Sequence, residues 1–148
     1  MFKKAQIAEE QILEIVSNNK IEKIGIEQNL QSFRSGFSSA HTLSSLARFN
    51  GILSYIVFKM CSITPEFINV NSARKSAGLK IIKKSKGGDP VKEQVFSWSQ
   101  SHLSKSNFLW PKKILKSGPR KGQEIFHPGC YDISDALVIA IATFSTQS

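Results

Sequence analysis

The sequence predicts an α/β fold in which parallel strands are flanked by helices. Three stretches predict it. Ile21 to Gln28 and Glu66 to Val70 are short runs of the buried-strand type, separated by a long helical stretch. Tyr131 to Phe144 reads as a closing helix that carries Asp132 and Asp135 and no charge beyond them. Strand, long helix, strand, helix and closing helix follow one another through one domain, residues 1–148, with no internal repeat.

Met1 to Asn19 reads as an amphipathic helix. Ala5, Ala8, Ile12, Ile15 and Val16 keep the helical period, Glu9, Glu10 and Glu14 take the wet side, and Asn18 and Asn19 suit the end. The strand Ile21 to Gln28 brings Glu27 to its carboxyl end, where open α/β sheets place their chemistry; a solvent-facing strand end is the other reading. The loop Asn29 to Ser38 sets Arg34 between Phe33 and Phe37, with Gly36 as its turn residue. Such a loop can grip a backbone and wedge against a base, or tuck its aromatics underneath.

Ser39 to Lys59 is a long helix with a broad apolar face (Leu43, Leu46, Ala47, Phe49, Ile52, Tyr55, Ile56, Phe58), and Gly51 in its middle suggests close packing there. Pro65 breaks the chain before the second strand. Asn71-Ser72 reads as a cap before a short helical turn, with Arg74, Lys75 and Lys80 in and after it. Ile81 to Gly88 is a basic, glycine-ended loop containing Lys83 and Lys84. Asp89-Pro90 suits a helix start with Asp as N-cap, and Val91 to His102 follows, burying Val95, Phe96 and Trp98. Ser104 to Cys130, with three prolines and the cations Lys112, Lys113, Lys116, Arg120 and Lys121, reads as an irregular connector that orders on a ligand or as a solvated charged loop. His127 lies just before the closing helix, as a structural residue or a neighbour of a site.

In the closing helix, Asp132 and Asp135 stand three apart on one face. Most of the circumference beyond them should be buried. Two carboxylates at the mouth of a buried helix are costly unless neutralised, and a divalent cation is the usual partner. The plainer alternative makes Asp132 an N-cap and lets Asp135 favour the helix dipole.

Hydrophobic residues at 41% and charged residues at 21% describe an ordinary globular composition, whereas the net charge of +9 and a pI near 9.7 do not. An excess of Lys and Arg is the footprint of a polyanion binder, most often of nucleic acid, or of a merely basic protein. Cys61 and Cys130 form neither a metal-type pair nor a disulfide framework. No secretory signal is visible and no apolar stretch is long enough for a membrane. The expected setting is a reducing interior: the cytoplasm of a bacterium or a virus-infected cell, or a mitochondrion.

Four stretches together resemble the RuvC-like Holliday-junction resolvases of the RNase H-like superfamily. IGIEQ (24–28) resembles the family's second acidic motif. SFRSG (32–36) and SSLARFNGIL (44–53) resemble its Arg-Ser-Gly loop and following helix, most closely in the fungal mitochondrial members. NSARKSAGLK (71–80) and DPVKEQVF (89–96) are similar to the basic segment and Lys-x-Gln-Val helix of bacterial and phage members. YDISDALVIAIA (131–142) resembles the closing Asp-x-x-Asp-Ala helix.

The resemblance implies an RNase H-like fold and a Mg²⁺-dependent endonuclease that resolves four-way DNA junctions in recombination and repair. It implies two Mg²⁺ ions, replaceable by Mn²⁺, with Glu27, Asp132 and Asp135 as metal-binding catalytic residues. Lys92 would contact the scissile phosphate. Arg74, Lys75, Lys80, Lys83 and Lys84 would contact DNA, with Phe33, Arg34 and Phe37 at the branch point. A homodimer is implied, since a four-way junction offers two symmetric cuts.

One departure bears on activity. The family opens with a three-strand meander whose first strand carries an Asp in an Asp-x-Gly pattern, and this sequence opens on a helix. Glu9, Glu10, Glu14, Glu22, Glu66, Asp89, Glu93 and Glu124 are not placed like that ligand. The expectation is an N-terminally incomplete fold with one open strand edge and impaired cleavage, through a split gene, a misplaced start or a remnant. The alternative function is a non-catalytic branched-DNA-binding protein on the same scaffold. A third reading, unrelated to the family, is a basic adaptor for an acidic protein.

Overall fold

The computed structural model describes residues 1–28 and 40–145. The chain runs α1 (Phe2–Asn18), β1 (Gly25–Glu27), α2 (Ala40–Cys61), β2 (Glu66–Ile68), α3 (Val70–Ser76), α4 (Val91–His102), β3 (Lys112–Ile114), β4 (Glu124–Phe126) and α5 (Gly129–Ser145). The architecture is mixed α/β. β1 and β2 pair in parallel, with Gly25 opposite Glu66 and Glu27 opposite Ile68. β3 and β4 form a separate antiparallel ribbon. Among the described residues no strand lies on the other side of β1, and no helix is long and apolar enough to cross a membrane. Phe33, Arg34 and Phe37 lie outside the described residues.

α1 ends where three side chains satisfy its last carbonyls: Ser17 Oγ, Asn18 Nδ2 and Asn19 Nδ2 donate to Leu13, Glu14 and Ile15. It packs on α2, but loosely. Only Ala5 is buried, and Ile15, expected on the inner face, is largely exposed. Glu9 departs from the wet side and lies 4.0 Å from Lys59 of α2. The apolar face of α2 is narrower than its sequence suggests: Ile56 and Val57 are buried, while Leu46, Tyr55 and Phe58 are exposed. Gly51 is exposed and nothing among the described residues would meet a Cβ there, so it does not mark close packing.

The core lies between α3, α4 and α5 over β2. Ala73, Leu79, Val95, Val138, Ile139 and Ala142 form it, with Ile68, Ala77, Ile81 and Trp98 packed against it. α5 presents two opposed stripes at the i, i+4 spacing. Cys130, Ser134, Val138 and Ala142 are buried; Asp132, Ala136, Ala140 and Phe144 are exposed. Ile139 and Thr143 are buried as well, and Ile133, Leu137 and Ile141 are half-buried, so most of the circumference is covered, as the composition implies, and the exposed stripe is narrow. The buried hydroxyls of Ser134 and Thr143 donate back to Cys130 and Ile139, one turn earlier.

Several boundaries differ from the sequence expectation for local reasons. Asn69, not Asn71, caps α3: its Oδ1 accepts from Asn71 N and Ser72 N at 3.0 and 3.3 Å. This shortens β2, whose Phe67 is half exposed. Pro90 takes the N-cap position of α4, and Asp89 contributes its carbonyl instead, accepting from Gln94 Nε2. Gln94 also pairs with both backbone groups of Ile82, fastening the basic loop to α4. α5 begins at Gly129, ahead of Asp132, with His127 Nδ1 accepting from Gly129 N at 3.1 Å. The cap reading of Asp132 therefore fails, and His127 serves the helix start. The stretch 104–130 holds an ordered hairpin rather than an irregular connector.

Two substitutions test this packing. A Cβ on Gly25 would overlap Thr143 Oγ1 and crowd Ile139 Cγ2 of α5. Gly25→Ala is expected to destabilise by about 1–3 kcal/mol in urea unfolding, with Thr143→Ala recovering part of the loss. Gly51→Ala is expected to stabilise by roughly 1 kcal/mol, since it fills open space in mid-helix; a loss of stability would show an unrecognised contact.

Candidate functional site

β1 lies against α5 because Gly25 has no side chain to hold it away. Gly25 faces Thr143 and Ile139, toward the C-terminal half of α5, so the strand runs back toward the opening turns of that helix. Its last residue, Glu27, arrives beside Asp135 and Asp132. Two further bonds fix this arrangement. Lys23 Nζ donates to Thr143 O at 3.3 Å, a cation at the end of α5 that favours one. Asn50 Nδ2 of α2 donates to Glu27 O at 3.1 Å.

The result is a cleft of about 800 Å³ along the exposed stripe of α5. Glu27, Asp132 and Asp135 line it together with Glu22, and Ile26, Ala136 and Ala140 form an apolar wall. Glu22 is an acid that sequence order left out. It lies in the turn before β1 and pairs with Lys20 at 3.2 Å. Nothing in its spacing marked it; the fold of residues 19–24 brings it in.

Electrostatics inside the cleft are unbalanced. Glu27 keeps part of its surface in water, yet its carboxyl is held above the usual glutamate range. Burial is the largest cause; the Asp135 charge adds to it, Arg74 opposes it, and Asp132 adds again. Lys20 and Lys23 line the cleft, and Arg74 of α3 adds a charge beside Asp135: its Nη2 lies 3.1 Å from Asp135 Oδ1, with both side chains mostly or partly covered. Among the described residues the buried Nε of Arg74 has no hydrogen-bond partner. The guanidinium therefore holds Asp135 with one edge and keeps a donor unspent. Arg74 was expected to face DNA; its partner here is a carboxylate of the cleft.

The remaining basic candidates stand apart. Lys75, Lys80, Lys83 and Lys84 are exposed on α3 and the connector to α4, outside the cleft lining. Lys92 is exposed on α4, with its Nζ 4.8 Å from the centre of the Tyr131 ring. Tyr131 in turn donates to Glu93 at 2.7 Å, which holds the phenol proton above its usual range. Cys61 and Cys130 are free thiols, and Cys130 is buried against Pro111 O.

Among the described residues no three His, Cys, Asp or Glu side chains form a closed metal cage. The donor chemistry nevertheless suits a hard divalent cation. The lining acids offer only oxygen, the mutual repulsion on Glu27 is of the kind a cation relieves, and Mg²⁺ commonly binds through one or two carboxylates while keeping waters.

The raised Glu27 carboxyl sets a direction for stability against pH. Unfolded glutamate titrates lower, so between the two values the folded chain binds more protons and stability falls as pH rises. Glu27→Gln is expected to flatten that limb and to leave the cation-free chain more stable than wild type above it. Urea unfolding at several pH values checks this; an unchanged slope would mean that neither burial nor the neighbouring charges raise the Glu27 carboxyl in the folded chain.

No protein-family model matches this sequence, and neither the curated proteins nor the solved structures contain a significant match to it.

Proposed function

We propose that the chain binds four-way DNA junctions and hydrolyses phosphodiesters with Mg²⁺, as a RuvC-like protein of the RNase H-like type acting as a homodimer. The observation that carries the proposal is the convergence of Glu27 with Asp132 and Asp135, about a hundred residues away in sequence, on one cleft beside Arg74. The resemblance noted in the sequence and the net charge of +9 supply the ligand class.

On this reading Glu27, Asp132 and Asp135 would hold the cation, and the chemistry it would supply there is Lewis acidity and water activation at neutral pH. A bound cation would favour the ionised form of Glu27, which burial and then the Asp135 charge disfavour in its absence. Arg74 turns its unspent Nε donor toward a phosphate oxygen while its other edge keeps Asp135 oriented. Lys92, steadied over Tyr131, and Lys75, Lys80, Lys83 and Lys84 meet the backbone further out. Phe33, Arg34 and Phe37 meet the branch point.

One observation favours a second reading, binding without cleavage. Arg74 already neutralises Asp135, and the acids do not close around a point.

A labelled four-way junction and a linear duplex of equal length, each with the purified chain in Mg²⁺ and in EDTA, separate the two. The expected result is a junction preference, with paired symmetric cuts in Mg²⁺ that Glu27→Gln abolishes. Junction-selective binding without cuts would establish the second reading. No preference for the junction in either buffer would overturn both.

A further inference from the structure

We infer that the β3–β4 ribbon is a DNA-binding arm, whose tip cations Lys116, Arg120 and Lys121 hold the phosphate backbone of a duplex beside the carboxylate cleft. The inference rests on the proposed ligand, branched DNA, and adds a contact surface to it.

The ribbon is built, not merely charged. Its ladder continues past β3, with Leu115 N donating to Gln123 O at 3.0 Å and Gly122 N to Leu115 O at 2.9 Å. Lys121 N closes the tip on Gly118 O at 3.0 Å, and Gln123 N returns to Arg120 O at 3.1 Å. Gly118 and Gly122 take φ of 82° and 88°, which a residue with a side chain rarely adopts, so the tip has a set shape. Along Leu115 to Gln123, Lys116, Arg120 and Lys121 are all exposed and no acid accompanies them. The ion pair of the ribbon, Lys112 with Glu124 at 2.6 Å, lies nearer the root and leaves the tip cations out.

The root is clamped. Phe96 of α4 meets Trp110 and Phe126 edge-on at 5.0 Å each and Tyr131 at 5.7 Å. His127 N donates to Pro111 O at 2.9 Å, and Cys130 Sγ reaches the same carbonyl at 3.3 Å. β4 then passes through His127 and Pro128 into α5, whose first turn carries Asp132. A phosphate gripped at the tip is therefore held at a fixed reach, roughly 15 Å along five strand residues, from the chain segment that leads into the cleft.

The chemistry selects duplex backbone. A two-stranded ribbon fits the major groove, and Lys and Arg at its tip meet phosphates without reading sequence. The tip holds no aromatic side chain on which single-stranded bases could stack, and no large exposed apolar side chain to enter a lipid surface.

The test is the salt dependence of Kd for a four-way junction and a linear duplex. Three proteins are compared: wild type, Lys116→Gln/Arg120→Gln/Lys121→Gln, and a control that removes three charges elsewhere, Lys3→Gln/Lys4→Gln/Lys105→Gln. The arm variant is expected to lose about 0.9 of slope in log Kd against log salt per phosphate contact removed, up to roughly 2.7 in all. Its affinity at low salt should fall about tenfold or more, and the control should change the slope by less than half as much. Acetylation of the wild-type chain reads the same contact without substitution: saturating duplex should protect Lys116 and Lys121. A slope equal to wild type, an equal effect of the control, or full labelling of both lysines in the saturated complex would overturn the arm alone. Failure of wild type to bind either DNA would instead overturn the proposed ligand, and the arm with it.

Discussion

The close approach of β1 to α5 is the constraint on which the site depends. A strand of three residues has little ladder of its own, and its position is set by what it packs against. Gly25 lets the backbone sit where a Cβ would strike Thr143. Lys23 and Asn50 then hold the strand before and after that contact. With both ends fixed, Glu27 has one place to go, the face of α5 that carries Asp132 and Asp135. Any change that lifts β1 away disturbs the core together with the acids, because Ile139 of the core is what Gly25 meets.

Arg74 answers the charge problem that this convergence creates. Burial raises the proton affinity of Glu27, and the charges of Asp135 and Asp132 add to it. Arg74 offsets part of it through Asp135. A half-covered ion pair contributes only modestly to stability, so its larger role is orientation. The pair fixes the rotamer of Asp135, and among the described residues nothing accepts from the buried Nε of Arg74.

Much of this was legible in the sequence, and the failures have physical causes. The order of helices and the two parallel strands followed from period and length, because long amphipathic runs carry their own signal. The location of Glu27 at a strand end and of two aspartates early in α5 was legible for the same reason. Caps were misplaced because Asn69 and Asn71 offer the same side chain and only geometry chooses between them. The ribbon was missed because prolines and lysines crowd its strands and leave no apolar run of the kind that marks β1 and β2. The pairing of Arg74 with Asp135 spans 61 residues and has no local trace. Burial of most of α5 was legible in its composition, but not that Ala136, Ala140 and Phe144, which look like core in sequence, wall the cleft.

The placement of charge bears on how a polyanion could use such a cleft. Among the described residues the ion pairs engage Lys20, Lys59, Arg74 and Lys112. Lys80, Lys83, Lys84, Lys116, Arg120 and Lys121 are exposed on connectors and are in none of them. The net field therefore draws phosphate to the periphery while the cleft itself repels it. On the proposed function these two tendencies conflict until a divalent cation enters the cleft. A cation bound there would convert the repelling centre into an attracting one, and an approaching phosphate would in turn favour the cation. Cation and DNA would then strengthen each other's binding by the same factor, as linkage requires. On that function the peripheral cations would supply affinity independent of the metal, and the cleft the part that depends on it.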